Sequence, residues 1–339
     1  MRFPLSLTSK MVGYIAKNKI TRRKRFPLVL MLEPLHACNL TCTGCGRIRE
    51  YETTIKEKLS VAECLASVDE CGAPIVSICG GEPLIYPEIG ALVKGILSRR
   101  KHIYLCTNGM FIKRKLDQFK PTTAMFFNVH LDGMEKTHDL MVERDGVFQA
   151  AVEGIKLAKA AGFQVCTNTT IYKETDLAEI EELYAYLGSL GVDGYMISPA
   201  YGYAAVQSTN PDGAAEIFLT RDDIRAKFRE AQAVLKKYRM MTSPIYLDFL
   251  AGERELTCAA FASPTRNVKG WKGPCYLITD AHYATFAELM EETDWDGYGP
   301  GKDERCDHCM MHSGFETSAA LGLDAGIGDT LRMIAWQFS

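Results

Sequence analysis

The chain has 339 residues, 47% of them hydrophobic, enough for one large domain with its own core and a small appendage. A formal net charge of −3 argues against nucleic acid as the main partner. No apolar run reaches the roughly 18 residues that span a bilayer, and Lys10, Lys17 and Lys19 interrupt the stretch where a secretory signal would be continuous, so a cytoplasmic location is expected.

In chain order, residues 1–25 form a basic arm: between Met1 and Met31 there are eight basic residues and no acidic one. Strand-like and helix-like segments then alternate to about residue 250. Leu28–Glu33 reads as the first strand. A helix follows that opens with a Ser60/Glu63 capping box and stops at Gly72. Strand Ile75–Cys79, a helix from Pro87, strand His102–Cys106, a short basic helix near Lys113, strand Met125–Leu131 and helix Val147–Ala161 come next. Strand Gln164–Ile171, helix Leu177–Leu190, strand Gly194–Ser198, a helix capped by Thr220 and a strand-like run Ile245–Leu250 complete the series. Such βα units in succession imply a parallel sheet with helices outside it. The divisions predicted are an arm at 1–25, an α/β core at 26–251 and a cysteine-containing carboxyl-terminal subdomain at 252–339.

In α/β folds chemistry gathers at the carboxyl ends of the strands. A cysteine loop, Gly80-Gly81-Glu82-Pro83, Thr107-Asn108-Gly109 and Asp132-Gly133 follow the first four strands in turn. In a reducing compartment twelve cysteines point to metal ligation or redox chemistry rather than to disulfides. Cys38, Cys42 and Cys45 are spaced C-x3-C-x2-C. Three local thiolates suit a [4Fe–4S] cluster with one iron left open. A structural zinc completed by His36 and buried free thiols are the alternatives.

This spacing, together with Gly80–Pro83, resembles the radical S-adenosylmethionine (SAM) superfamily, over roughly residues 26–250. The resemblance implies a partial (β/α)6 barrel in which SAM chelates the open iron. It also implies that Gly80, Gly81 and Glu82 contact the SAM amino group, and that Asn108, Asp132, Asn168 and Ser198 are further SAM-binding candidates. Asn-Gly and Asp-Gly are also ordinary turn formers. The residue before the third cysteine is commonly aromatic and lies near the adenine, whereas here it is Gly44.

The flanks, MRFPLSLTSKMVGYIAKNK, RFPLVLMLEPLHACNLTCTGCGRIREYE, GPCYLITDAHYATFAELMEETDW and RCDHCMMHSGFE, are similar to the hopanoid-biosynthesis radical SAM proteins. That similarity implies an adenosyl transfer: addition of the 5′-deoxyadenosyl radical to the terminal alkene of diploptene, giving adenosylhopane. It further implies a flavodoxin- or ferredoxin-type electron donor. The product radical would need a hydrogen donor, for which Cys106 at the end of the third strand is the candidate, with Cys79 and Cys166 similarly placed. The basic arm would lie on an anionic membrane surface, or else pack on the core as a helix with a solvated face.

Cys306 and Cys309, with Cys258 and Cys275, make a second set. It suits an auxiliary [4Fe–4S] cluster, a structural zinc or unligated thiols, with His308 and His312 as further possible ligands. Two rival functions stand beside the first. One is a radical SAM enzyme abstracting hydrogen from a peptide or other substrate, for which acidic loops such as Asp294–Asp303 could serve. The other is a non-catalytic iron–sulfur protein for electron transfer or sensing.

Overall fold

The alternation of apolar residues resolves into six parallel strands: β1 (Val29–Leu32), β2 (Ile75–Ile78), β3 (His102–Thr107), β4 (Met125–His130), β5 (Gln164–Ile171) and β6 (Gly194–Pro199). They lie side by side in sequential order. Successive crossovers of one hand then put every helix on the same side, the winding of a barrel rather than of a doubly wound sheet. No ladder joins β6 to β1 among the described residues; instead β1 pairs on its free edge with β7 (Thr265–Asn267), which continues antiparallel into β8 (Gly270–Pro274) and β9 (Thr279–Tyr283). The tail therefore extends the core sheet. The computed structural model describes residues 2–203, 206 and 217–339.

Helices cover one face of this sheet. Helix α2 (Val61–Cys71) starts as its sequence dictates: Ser60 Oγ accepts from the Glu63 N–H at 3.2 Å and Glu63 returns a bond to the Ser60 N–H at 2.8 Å. Gly72 ends it with a left-handed φ of 72°. Helices α3 (Ile89–Ser98), α4 (Val147–Ala160) and α5 (Leu177–Ser189) follow, and α6 (Arg221–Leu235) opens with a Thr220/Asp223 capping box. Their apolar stripes meet Leu30, Leu32, Val76, Ile103, Leu105, Phe127 and Val165, all buried, in the main core.

One predicted strand is a helix. Ile245–Leu250 belongs to α7 (Pro244–Leu250), where Ser243 Oγ accepts from the Tyr246 N–H at 3.3 Å and Pro244 occupies the first turn. A cap followed by a first-turn proline overrides the strand propensity of a short aromatic and β-branched run. The tail adds α8 (Phe286–Glu292), α9 (His312–Leu321) and α10 (Ile327–Phe338).

The other face of the sheet looks inward. At its amino-terminal end Ile75, Tyr104, Phe126 and Cys166 cluster with Leu7, Phe3 and Met11. These last three come from the basic arm, of which Leu5–Ile20 is helix α1. The arm therefore floors the sheet interior, and Ser6 Oγ reaches His102 Nε2 at 3.3 Å. No described helix is long and apolar enough to cross a membrane.

Candidate active site

At the carboxyl end of β1 the chain turns into the cysteine loop. Cys38, Cys42 and Cys45 are half-buried free thiols, held by backbone and polar contacts on every side. Cys45 N donates to Cys42 O at 3.0 Å, Thr43 N to Met141 O at 3.1 Å, and Arg49 Nη1 to the carbonyls of Cys42 (3.2 Å) and Cys45. Leu40, Val142 and Val147 give Cys38 and Cys42 an apolar shell. Burial pushes the Cys38 thiol up to about 12, and Cys42 rises for the same reason, so both stay protonated until a metal displaces the proton. Among the described residues no three His, Cys, Asp or Glu side chains converge on a single ion. Three soft thiols on one loop are the donor set that a cubane takes from protein, one per iron. His36 stacks on Tyr51 with ring centroids 3.8 Å apart and places Nδ1 2.9 Å from Thr54 Oγ1, while its Nε2 is buried without a partner among the described residues.

The Gly80–Pro83 loop is zipped onto the cysteine loop. Gly81 N donates to Leu35 O at 3.2 Å and Glu82 N to Ala37 O at 2.9 Å. A Cβ on Gly81 would lie 1.8 Å from Ala37 O, an approach that only glycine permits. Glu82 is buried, and its carboxylate accepts from the Leu84 N–H (2.9 Å), Thr107 Oγ1 (2.7 Å) and the Asn108 N–H (2.9 Å). Three of about four acceptor positions are thus used, leaving one. Burial raises its pKa to about 7 against the opposing pull of those donors.

The remaining strand-end residues are engaged in different ways. Asn108 ties two loops together: its Nδ2 donates to Asn39 Oδ1 at 2.9 Å, while its Oδ1 accepts from the Met110 N–H at 3.1 Å. Asp132 is buried, 2.7 Å from His130 Nε2, and accepts from the Thr170 N–H at 2.8 Å. Burial opposes charge on both partners, but their mutual attraction prevails, holding Asp132 low and His130 high. His130 therefore presents the polar edge of this pair. Sequence reading missed it, although the β4 alternation Phe126, Asn128, His130 already aims it inward. Asn168 stands opposite His130 in the β4–β5 ladder, and Ser198 is buried on β6 opposite Thr170.

Gly44 has a structural counterpart. A Cβ there would lie 2.6 Å from the Tyr172 hydroxyl, and one on Gly46 would lie 2.3 Å from the Tyr203 hydroxyl. Two tyrosines from the ends of β5 and β6 thus occupy the room beside the third cysteine. Neither was legible as a neighbour of a residue so far away in sequence.

Deeper on the inner face, Cys106 Sγ lies 3.3 Å from Ser77 Oγ and 3.6 Å from Asn128 Nδ2. Burial keeps it a protonated thiol. Cys106 is half-buried, whereas Cys79 and Cys166 are fully enclosed. Beside the loops runs a buried ionic wall. Glu50 takes Lys272 Nζ at 2.7 Å and Arg47 Nη1 at 2.9 Å, and Arg47 Nε approaches Glu33 at 3.4 Å.

Cys258, Cys275, Cys306 and Cys309 are free thiols in the tail. Cys258, Cys306 and Cys309 are each pushed up by burial and further by the nearby Cys275. Cys275 Sγ accepts the Ile278 N–H at 3.3 Å. His312 is half-buried, and desolvation holds its pKa down at about 4.

Residues 32–187 match the Radical SAM superfamily, and residues 195–333 match a domain of unknown function, DUF3463. An AdoMet-dependent heme synthase of Methanosarcina barkeri is 27% identical over 50% of this chain and 50% of its own length. A pre-heme d1 synthase of Dinoroseobacter shibae is 26% identical over 78% of this chain and 68% of its own. The chain thus spans about half the length of the first of these relatives. Among solved structures, Streptococcus suis SuiB bound to its precursor peptide SuiA superposes with a TM-score of 0.56 at 18% identity, covering 75% of this chain and 60% of that one. These findings overturn the expected hopanoid membership, with its adenosylhopane-forming activity and diploptene partner. The named relatives are heme-pathway enzymes, and the matching structure holds a peptide. Residues 32–187 thus match the radical SAM superfamily, and the fold is that of a radical SAM (β/α) core with an extra carboxyl-terminal subdomain.

Proposed function

We propose that this chain is a radical SAM enzyme that abstracts hydrogen from a peptide or small-molecule substrate, organised as an arm at 1–25, a core at 26–251 and a tail at 252–339. The observation that carries the reading is the zipped pair of loops: three thiols and one spare carboxylate position are fixed against each other at the carboxyl ends of β1 and β2. A [4Fe–4S] cluster on Cys38, Cys42 and Cys45 would supply the electron that splits SAM into methionine and a 5′-deoxyadenosyl radical. A pure electron carrier would have no use for the Glu82 position. The SuiB complex supports a peptide substrate, and the heme-pathway relatives support a tetrapyrrole-sized one. Production of 5′-deoxyadenosine by the dithionite-reduced protein given SAM tests the reading, and its absence would return the chain to electron transfer or sensing.

In this reading Glu82 takes the SAM ammonium, with Gly80 and Gly81 letting its loop pack tightly on the cysteine loop so that the backbone there borders the ligand. Asn108 holds the loop, and the Asp132–His130 pair, Asn168 and Ser198 face the remainder of SAM. Tyr172 stands in for the aromatic residue that Gly44 lacks. A pH dependence follows. Glu82 accepts an ammonium only when ionised, and its carboxyl titrates at about 7. SAM affinity is therefore expected to strengthen about tenfold between pH 6 and pH 8 in equilibrium dialysis, with Glu82→Gln flattening the profile. The sign for folding is opposite. A carboxyl raised above its unfolded value of 4.5 disfavours the native state progressively as pH climbs from 4.5 towards 7.

Cys106 is the proposed hydrogen-atom donor to a substrate-centred radical. Its S–H bond breaks and a C–H bond forms, and the thiyl left behind regains its hydrogen from one electron of the external flavodoxin- or ferredoxin-type donor and one proton from solvent. The half-open position of Cys106 favours it over the enclosed Cys79 and Cys166. Cys106→Ala is expected to keep 5′-deoxyadenosine formation while changing the substrate-derived product seen by mass spectrometry. An unchanged product would remove Cys106 from this role.

The second thiol set belongs to the same proposal, as an auxiliary [4Fe–4S] site on Cys258, Cys275, Cys306 and Cys309. Its support is the mutual influence of these thiols, Cys275 raising Cys258, Cys306 and Cys309 beyond what burial does; metal analysis decides between a cluster and zinc.

A further inference from the structure

Helices α1 and α10 form one continuous surface. Arg2 Nε donates to Trp336 O at 2.8 Å, Gln337 Nε2 to Thr8 Oγ1 at 2.8 Å, and the rings of Phe3 and Trp336 meet edge to face at 5.5 Å. Each helix buries only a narrow edge: Leu7 and Asn18 on α1, Gln337 on α10. The sides turned outward are apolar. Ile327, Leu331, Ile334 and Phe338 recur at intervals of four, three and four residues along α10, and they are 51–85% exposed. On α1, Leu5, Val12 and Ile20 are 55–81% exposed. Single exposed leucines are ordinary on any protein surface. Here, of the ten large hydrophobic side chains that the described residues leave exposed, seven stand on these two neighbouring helices, and such clustering marks an interaction surface.

The exposed charge where α1 ends is basic: Lys17, Lys19, Arg22, Arg23 and Lys24. The charges on α10 are already paired, Asp329 with Arg254 at 2.9 Å and Arg332 with Asp248 at 3.0 Å. The other exposed positions on the two helices include the uncharged Ser9, Gly13, Ala16, Gly328, Thr330 and Ala335.

We propose that the α1–α10 face docks the protein on an anionic lipid surface, with α10 lying in the plane of the headgroups and the basic end of α1 against their phosphates. An apolar helix face with flanking cations matches the boundary between headgroup and acyl chain. A second copy of the chain is disfavoured as the occupant, because joining two such faces brings two basic rims together. Twelve residues of α10 reach about 18 Å along the surface. The inference stands apart from the radical chemistry and does not depend on which substrate is used.

The test is flotation of the full-length protein with vesicles of phosphatidylcholine alone and of phosphatidylcholine with phosphatidylglycerol. Binding is expected only to the anionic vesicles and is expected to weaken as salt rises. The double variant Leu331→Asp/Ile334→Asp replaces exposed side chains and so leaves the fold intact by circular dichroism; it is expected to bind at least tenfold less. Lys17→Gln/Lys19→Gln is expected to lose the preference for anionic vesicles. Several outcomes would overturn the proposal: no binding at low salt, equal binding by the aspartate variant, or a dimer in analytical ultracentrifugation that this variant abolishes. Recovery of binding through an acidic protein alone, with bare vesicles inert, would likewise replace the lipid with a protein partner.

Discussion

Cys42→Ala is expected to reduce 5′-deoxyadenosine formation to background and to remove about four irons per chain. The loss would be nearly total because no substitute ligand lies at hand. Thr43 is committed to Glu143 at 2.9 Å and His36 is stacked on Tyr51. The thiol is half-buried in an apolar shell, so an incomplete set gains little from solvent. The Cys38/Cys42/Cys45 triple alanine variant separates the two thiol sets. About four residual irons per chain, with matching sulfide, would belong to Cys258, Cys275, Cys306 and Cys309. Zinc in their place, or no metal, would remove the auxiliary cluster. Continued 5′-deoxyadenosine formation by the triple variant would remove the triad from the chemistry altogether.

Gly81→Ala is expected to destabilise the protein by about 3 kcal/mol, the upper end of the overpacking range, and to weaken both iron retention and SAM binding. The added methyl would meet the Ala37 carbonyl and the His36 carbonyl oxygen, which are backbone atoms and cannot rotate aside. Relief requires the loops to part, and with them the Gly81–Leu35 and Glu82–Ala37 hydrogen bonds. Gly13→Ala is the control. It sits on the outer side of α1 with nothing within 4 Å of the new methyl, and alanine there favours the helix. Equal urea midpoints for the two variants would show that the zipped loops contribute nothing to stability.

The parts of this molecule that were legible in its sequence share a property: they are local. Capping boxes at Ser60 and Thr220 and the two-residue alternation of β1–β6 are written within a few positions, and they fixed the order of elements. So are the cysteine loop and Gly80–Pro83. Ile245–Leu250 was misread because a short run of five apolar residues interrupted only by Asp248 suits a strand or a helix equally, and the deciding Ser243-Pro244 stands just outside the run. The walls of the site were not legible because they join distant segments. Lys272 meets Glu50 across 222 residues, and Tyr172 fills the space above Gly44 from the far side of the sheet. Substrate identity suffers most from this. The inner face is assembled from one or two residues per strand, so similarity in the flanks carried no information about what the cavity accepts, and the hopanoid expectation failed on that point.

The floor built by Leu7, Phe3 and Met11 has a kinetic consequence. With the amino-terminal end of the sheet interior stoppered by α1, traffic runs through the opposite mouth, where the proposed function places SAM. A substrate arriving second covers the SAM beneath it. Turnover should then follow a compulsory order, with the nucleoside product unable to leave before the substrate-derived one.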